Sequence, residues 1–479
     1  MSANIYCIVD DILQRILVGY CHDYRFLCGF VCKHWNNTMI DFQSESHDLP
    51  DSEKQRSSSD YNYGVIVPDY SSNDTIAPAT TALMSIAKRG NIDVFRWLAA
   101  IGVLRNSPQV VMYVAEAAAE AGHLPLIQFC MSTWNIVPDD RVMVSAARGG
   151  HDDIFRFCYN CDGYSSLRLI MDYTARYGRD TMVRMYKEEW DVTASVTQIA
   201  ESAAEGGHDS IIRLCHGWGA IDWGFVLVSA AKGGHLSSVR LCLEYETRIA
   251  SYNYQNAICG AAKHGHMDVV VYLHEQMTRL NEYINLDAVI VEAAAGGQEA
   301  VIQLCIERWD VRAMDTLTAA VVSAAEKGNE HIVQMGHREW GIVDMDTIAR
   351  AAAKGGHKAI VQWCLTNGAK NLHDIVRIAL INAHFDIACL CKEEWNFDDH
   401  DHVIWVGANT GRIDIFHLGC EWGASDFNNA MAEAAYQGYE NIMHHCRVYG
   451  ADNYRECYEL AKGRFEYDCM KLCKAWMEE

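Results

Sequence analysis

Proline is scarce in this chain, six among 479 residues. Half of the residues are apolar, so the scarcity excludes a chain disordered throughout and leaves material for a large core. No run of about 18 apolar residues occurs, so no membrane-spanning helix is expected. Positive charge is also in short supply. Forty Lys and Arg stand against 63 Asp and Glu, a net charge of −23, and a field of that sign opposes phosphate backbones and anionic lipid. Neither nucleic acid nor a membrane is therefore an expected partner. The N-terminus lacks the uncharged core of a secretory signal, because Asp10 and Asp11 fall inside MSANIYCIVDDILQRIL. Catalytic signatures are missing as well: no Gly-x-Gly-x-x-Gly, no phosphate loop and no His-Glu-x-x-His. Cys389 with Cys391, His400 with His402, and His444-His445-Cys446 are local groups with no second cluster at ligand spacing. The expectation is a protein that is not an enzyme and holds no metal or cofactor.

Repetition is what the chain has in abundance. The stretch Ala200 to Trp223, AESAAEGGHDSIIRLCHGWGAIDW, reads as a small-residue helix, a Gly206-Gly207 turn and a second helix. In that second helix Ile211, Leu214, Cys215 and Trp218 form one apolar stripe. The turn recurs at Gly90, Gly122, Gly150, Gly178, Gly207, Gly234, Gly265, Gly297, Gly328, Gly356, Ala383, Gly411, Gly438 and Gly463. These fourteen units are spaced 25 to 32 residues apart and mostly 27 to 29. Such a unit cannot bury its own apolar face and needs copies of itself on both sides. The unit around Gly178 is irregular, with Arg176-Tyr177 where alanines usually stand.

Three further positions travel with the turn. His follows it at His123, His151, His208, His235, His266, His357 and His384, with Asn91 and Asn329 as replacements. The exchange of His with Asn predicts a hydrogen-bonding role in the turn rather than metal or acid–base chemistry. Eight residues past the turn stands Cys, at Cys130, Cys158, Cys215, Cys242, Cys305, Cys364, Cys391 and Cys446, and Leu98 and Leu273 take its place elsewhere. Replacement by Leu predicts a buried apolar contact. Trp follows at Trp134, Trp190, Trp218, Trp309, Trp340, Trp395 and Trp422, predicted to close each unit with the indole N–H partnered at the surface. The odd total of 19 cysteines fits free thiols in a reducing compartment.

Residues 1–43 follow a different pattern. Ile12, Leu13, Ile16 and Leu17 make one helical stripe, and Phe26, Leu27, Phe30 and Val31 make another, ending in Cys32-Lys33-His34-Trp35. About forty residues are too few for a secure independent core, so this module is expected to dock on the array or on a partner. Residues 44–78 are rich in Ser and Asp, with Pro50, Pro68 and Pro78, and read as a flexible linker. The array occupies residues 79–479. Its final unit carries Lys462, Arg464, Glu466, Asp468, Lys471 and Lys474 and is expected to be a C-terminal cap.

The module Asp11-Ile12-Leu13, Ile16-Leu17 and Val31-Cys32-Lys33-His34-Trp35 resembles an F-box. Ile8-Val9 stands at the usual Leu-Pro opening, and Gly19 and Gly29 stand at positions often apolar. The resemblance implies binding of a Skp-type adaptor, and so of a cullin ubiquitin ligase, through Ile12, Leu13, Ile16, Leu17, Leu27, Val31, Cys32 and Trp35. An N-terminal helical cap on the array would use the same apolar stripes. In the array, AAKHGHMDVVVYLHE and AAEGGHDSIIRLCHGWGAID resemble the second half of the ankyrin repeat: Ala-Ala, Gly-His, an amphipathic helix, then Gly-Ala. The Thr-Pro-Leu-His opening is missing, and most periods fall short of the usual ~33 residues. The expected fold is therefore all-α, an ankyrin-like α-solenoid with its hairpin fingers trimmed. This dialect resembles ankyrin proteins of large DNA viruses. The resemblances imply an adaptor that captures a target protein and delivers it to a ligase, or else a ligase-independent scaffold that sequesters a host protein. Either would act as a monomer in the cytoplasm, with the nucleus also open. Candidate target-binding residues in the inter-unit turns are Asp139, Trp223, Asp346 and Phe427, although such Asp residues also cap helices and such aromatics also pack on neighbours.

Overall fold

The computed structural model describes residues 78–100, 104, 108–161, 166–189, 195–246 and 249–479. The F-box-like residues Ile12, Leu13, Ile16, Leu17, Leu27, Val31, Cys32 and Trp35 lie outside them, as do nearly all of the linker and Trp190.

The stretch that defines the sequence repeat illustrates why each unit folds as it does. Ser195 caps the helix Val196–Glu205, its hydroxyl accepting the Gln198 N–H at 3.4 Å. Ile199, Ala200, Ala203 and Ala204 are buried along one face of it. The helix stops at Gly206, and Gly207 takes a left-handed backbone, φ +77°. Asp209 then opens the helix Asp209–Gly217, favourably placed at the positive end of its dipole. Ile211, Ile212 and Cys215 are buried, while Leu214 and Trp218 sit half-buried at the edge of the predicted stripe.

Twenty-eight α-helices follow this pattern among the described residues, in fourteen consecutive pairs, and no strand occurs among them. Among the described residues the connectors thus carry no hairpin. The helices form two compact units dividing at Asp222/Trp223. The first contains five pairs, from Pro78–Lys88 to Asp209–Gly217; the second contains nine, from Trp223–Lys232 to Tyr467–Glu478. Within each unit consecutive first helices pack directly on one another, whereas consecutive second helices touch far less. Alanine makes this possible. Ala118-Ala119, Ala146-Ala147, Ala261-Ala262, Ala324-Ala325 and Ala352-Ala353 are wholly buried where one first helix meets the next.

Two units depart from the pattern. In the irregular fourth pair, the short helix Asp180–Arg184 continues as a π-helical turn, Met185–Glu189. Tyr186 occupies the usual Cys position there and is 1% exposed. The π-helical turn thus falls where a phenol stands in place of the thiol. In the final pair the turn is not at Gly463, which lies inside the helix Tyr454–Arg464; Phe465 takes the left-handed conformation instead, φ 64°. Phe465 lies 27 residues after Gly438, within the dominant spacing, so the backbone kept the period and the glycine was two residues out of register.

Candidate binding face

The repeated histidine links one repeat to the next. Its Nε2 bonds to a main-chain carbonyl of the preceding repeat, two residues before the left-handed turn. The bonds run from His123 to Lys88 at 3.0 Å, from His151 to Glu120 at 3.1 Å and from His208 to Arg176 at 2.8 Å. The second unit repeats the arrangement from His266 to Lys232 at 2.9 Å and from His357 to Glu326 at 3.1 Å. Each carbonyl closes a helix and has no partner within it. The ring also lies against the turn glycine of the preceding repeat. A Cβ on Gly122, φ +85°, would stand 2.5 Å from Cε1 of His151, so that turn needs glycine for its backbone and for the ring that covers it.

The expectation of a hydrogen-bonding role holds, but its reach is 31 to 35 residues rather than local. Other donors serve the same place. Asn329 reaches the Ala294 and Ala295 carbonyls at 2.9 and 2.8 Å, Arg179 the Ala147 carbonyl at 2.7 Å, and Arg412 the Leu380 carbonyl at 2.8 Å. Sequence reading missed the two arginines. The signal was their position one residue past the turn, in repeats where His is absent.

The cysteines at the repeated position are packing groups. All eight at the repeated position are fully buried, and burial pushes the thiols of Cys130, Cys158, Cys215, Cys305, Cys364, Cys391 and Cys446 up to about 12. Moving the last turn to Phe465 adds a ninth member, Cys473, buried and pushed up to about 11. At the repeated position Trp134, Trp218, Trp309, Trp340, Trp395 and Trp422 are half-buried. Trp309 stacks on His274 with ring centroids 4.1 Å apart, and Lys392 lies 4.6 Å over the Trp422 ring. The Trp395 indole N–H is buried with no hydrogen-bond partner among the described residues, contrary to the surface partner expected of this position. Among the described residues, no three His, Cys, Asp or Glu side chains converge as a metal site.

The four turn residues proposed to touch a target each have a place in the fold. Asp139 caps the helix Asp140–Gly149, accepting from Arg141 N at 3.0 Å and Val142 N at 3.4 Å. Asp346 accepts from Lys370 N at 2.7 Å and Asn371 N at 2.8 Å, tying its helix to the next connector. Trp223 is 4% exposed and packs on Tyr245, ring centroids 4.8 Å apart. Phe427 is half-buried and stacks on Tyr449 at 4.8 Å. The structure does not bring them together. It does identify a recurring clamp that sequence reading missed: the second residue of a first helix holds the following connector. Asp401 accepts from Ser425 N at 2.6 Å and Asp426 N at 2.8 Å, and Asn428 accepts from Asp452 N at 2.9 Å.

With turn, core and clamp positions assigned, a half-buried position on the first helices is what varies between repeats. Six residues before the turn stand Val228, Val291 and Val322 in three repeats, but Glu116, Asp172 and Glu201 in others and Arg350, Arg377 and Trp405 in three successive ones.

The chain is a helical repeat protein. No family profile matches its sequence, and no curated protein matches it. Two solved structures similar to it are complexes of the pentatricopeptide repeat protein PPR10 with an 18-nucleotide psaJ RNA element, one with a cysteine-substituted form. Each is 14% identical to this chain, with a TM-score of 0.32 over 80% of this chain, which spans 65% of the length of theirs. The RNA belongs to those complexes and is not carried over to this chain.

Proposed function

We propose that this chain is a non-enzymatic adaptor, an ankyrin-type array that holds a target protein on the first-helix face. The F-box-like residues 1–43 would recruit a Skp-type adaptor and through it a cullin ubiquitin ligase. The observation that carries the binding half is how the reactive side chains are spent. Histidines hold carbonyls of the preceding repeat and thiols fill the core. What differs from repeat to repeat is a half-buried position along the first helices, where repeat proteins build their recognition surfaces. The ankyrin-type reading rests on the Ala-Ala, Gly-His and Gly-Ala residues, and the ligase half on Ile12, Leu13, Ile16, Leu17, Leu27, Val31, Cys32 and Trp35. No helix among the described residues is long and apolar enough to cross a membrane. The charge of −23 favours a protein target over a polyanion. Dependence on unpaired thiols favours a reducing compartment such as the cytoplasm.

Purified full-length protein should retain a Skp-type adaptor in a pulldown, and Leu13→Ala or Trp35→Ala should each weaken it about tenfold or more, the scale of a lost interface anchor. If no adaptor binds at micromolar protein while a target still does, the ligase half fails and the sequestering scaffold remains.

A further inference from the structure

The fourteen repeats act as their own alignment: a position alike in most of them serves the stack, and a position that varies among them is free to serve something else. The half-buried position six residues before the turn is such a position, and it is cationic or aromatic on three successive first helices, Met345–Gly355, Leu372–Ile381 and His400–Thr410. In the same register these carry Arg350, Arg377 and Trp405. Asp374 stands between the arginines, its carboxylate 3.9 Å from Arg350 Nη1 and 3.2 Å from Arg377 Nη2. That carboxylate also accepts from Asn371 Nδ2 at 2.8 Å, so two guanidinium groups share an oxygen pair already partly used. Arg350 donates from Nη2 to the Thr347 hydroxyl at 2.9 Å, and its Nε is buried with no hydrogen-bond partner among the described residues. The Asp344 carboxylate lies near Arg350 but is taken up by Thr347, at 3.1 Å from its N–H and 2.6 Å from its hydroxyl. The two arginine side chains remain 41% and 39% exposed.

An apolar platform adjoins them. Ile378 is half-buried and Ile381 is 41% exposed on the helix that carries Arg377. Trp405 is half-buried and stacked on His402, ring centroids 5.8 Å apart. Arginine and tryptophan beside aliphatic side chains is the composition of an interface anchor site, and a guanidinium fork matches a carboxylate.

We propose that Arg350, Arg377 and Trp405, with Ile378 and Ile381, form the site at which the array takes an acidic peptide segment of its target, a Glu or Asp side chain followed closely by a large apolar one. The inference rests on the reading of the array as a protein-binding face. A peptide fits better than a nucleic acid because Asp374 fixes a negative charge between the arginines. A single carboxylate can pass beside it, whereas a backbone with one charge every few ångströms meets it repeatedly.

The test is a display selection on immobilised full-length protein, using twelve-residue peptides randomised around a fixed Glu-Leu pair and a parallel pool with Gln-Leu. Enriched peptides would be measured by fluorescence anisotropy against wild type, Arg350→Gln with Arg377→Gln, and Trp405→Ala. Melting curves would establish that each variant is folded, and Arg447→Gln, far along the sequence, serves as control. The expected result is enrichment from the Glu pool, with binding at least about tenfold weaker for the Gln peptide and for the double arginine variant, the worth of a lost charge-assisted pair. Enrichment that ignores the acid, or survives loss of the arginines, overturns this site while leaving a protein-binding array standing. Enrichment from neither pool overturns both. Displacement of an enriched peptide by single-stranded RNA at lower concentration than by unlabelled peptide overturns the choice of partner.

Discussion

At the scale of single residues, Glu116 is the clearest departure from ordinary side-chain behaviour. It lies on the helix Pro108–Glu120, its side chain only 18% exposed, 3.3 Å from the Arg141 guanidinium. Burial outweighs that attraction and raises its carboxyl from 4.5 to about 7, with Asp139 adding a repulsion. The native state therefore holds this proton more tightly than the unfolded chain does. Stability from this group is fully present below about 4.5 and is lost as pH rises through about 7. Glu116→Gln removes the ionisation and keeps the shape, so its advantage over wild type should grow between pH 4.5 and pH 8. The limit is about 3 kcal/mol, from a shift of about 2.5 units at 1.36 kcal/mol each. Urea unfolding of both proteins at pH 5 and pH 8 measures it, and a difference independent of pH would refute the account. Nothing in the sequence marks Glu116, because its burial comes from the neighbouring helix Asp140–Gly149, which carries Arg141 and is capped by Asp139.

At the scale of the element, the joint between repeats is a histidine ring, a glycine and a carbonyl, and it can be taken apart one group at a time. His151→Ala leaves the Glu120 carbonyl without its donor and should cost about 1–3 kcal/mol, the penalty for a polar group deprived of its partner. His151→Asn should cost less, because Asn329 bonds the equivalent carbonyls in its own repeat. Gly122→Ala should be the worst of the three, with a left-handed backbone costing about 1–2 kcal/mol and a methyl driven into the ring as well. Chemical denaturation of the three variants gives the order, and His151→Asn as damaging as His151→Ala would contradict it. The same joint explains what could be read in advance. Helices, turns, the alanine contacts and the buried cysteines were legible because each recurs, so fourteen imperfect copies average out their noise. The destination of the histidine bond was not, since a carbonyl 31 residues upstream leaves no trace in spacing. Phe465 was missed for a related reason: glycine was taken as the mark of the turn, although the period marks it better.

At the scale of the whole molecule, repetition makes stability a sum of neighbour contacts rather than one cooperative core, because each repeat touches only those beside it. The thiols give that statement a readout at intervals along the described array. Cys161, Cys259, Cys389 and Cys420 are half-buried, whereas eleven others are buried. Burial pushes most of those buried thiols to about 12, so little thiolate exists near pH 8 until a repeat opens. In native buffer a maleimide should therefore modify the four half-buried cysteines well before the eleven. As urea is raised, the buried ones should become reactive in groups drawn from adjacent repeats, such as Cys130 with Cys158 or Cys446 with Cys457, Cys469 and Cys473. Peptide mapping by mass spectrometry resolves every site. If all eleven appeared together at one urea concentration, the described residues would unfold as a single unit, and the nearest-neighbour picture drawn from their helix contacts would be wrong. Graded opening also bears on binding. A target spread across several first helices ties together repeats that otherwise open separately, so occupancy should protect the thiols beneath the bound segment and leave distant ones unchanged. An acidic peptide seated on Arg350 and Arg377 should thus slow modification of Cys364 and Cys391, the buried thiols of those two repeats, while Cys130 and Cys158 react at their former rates.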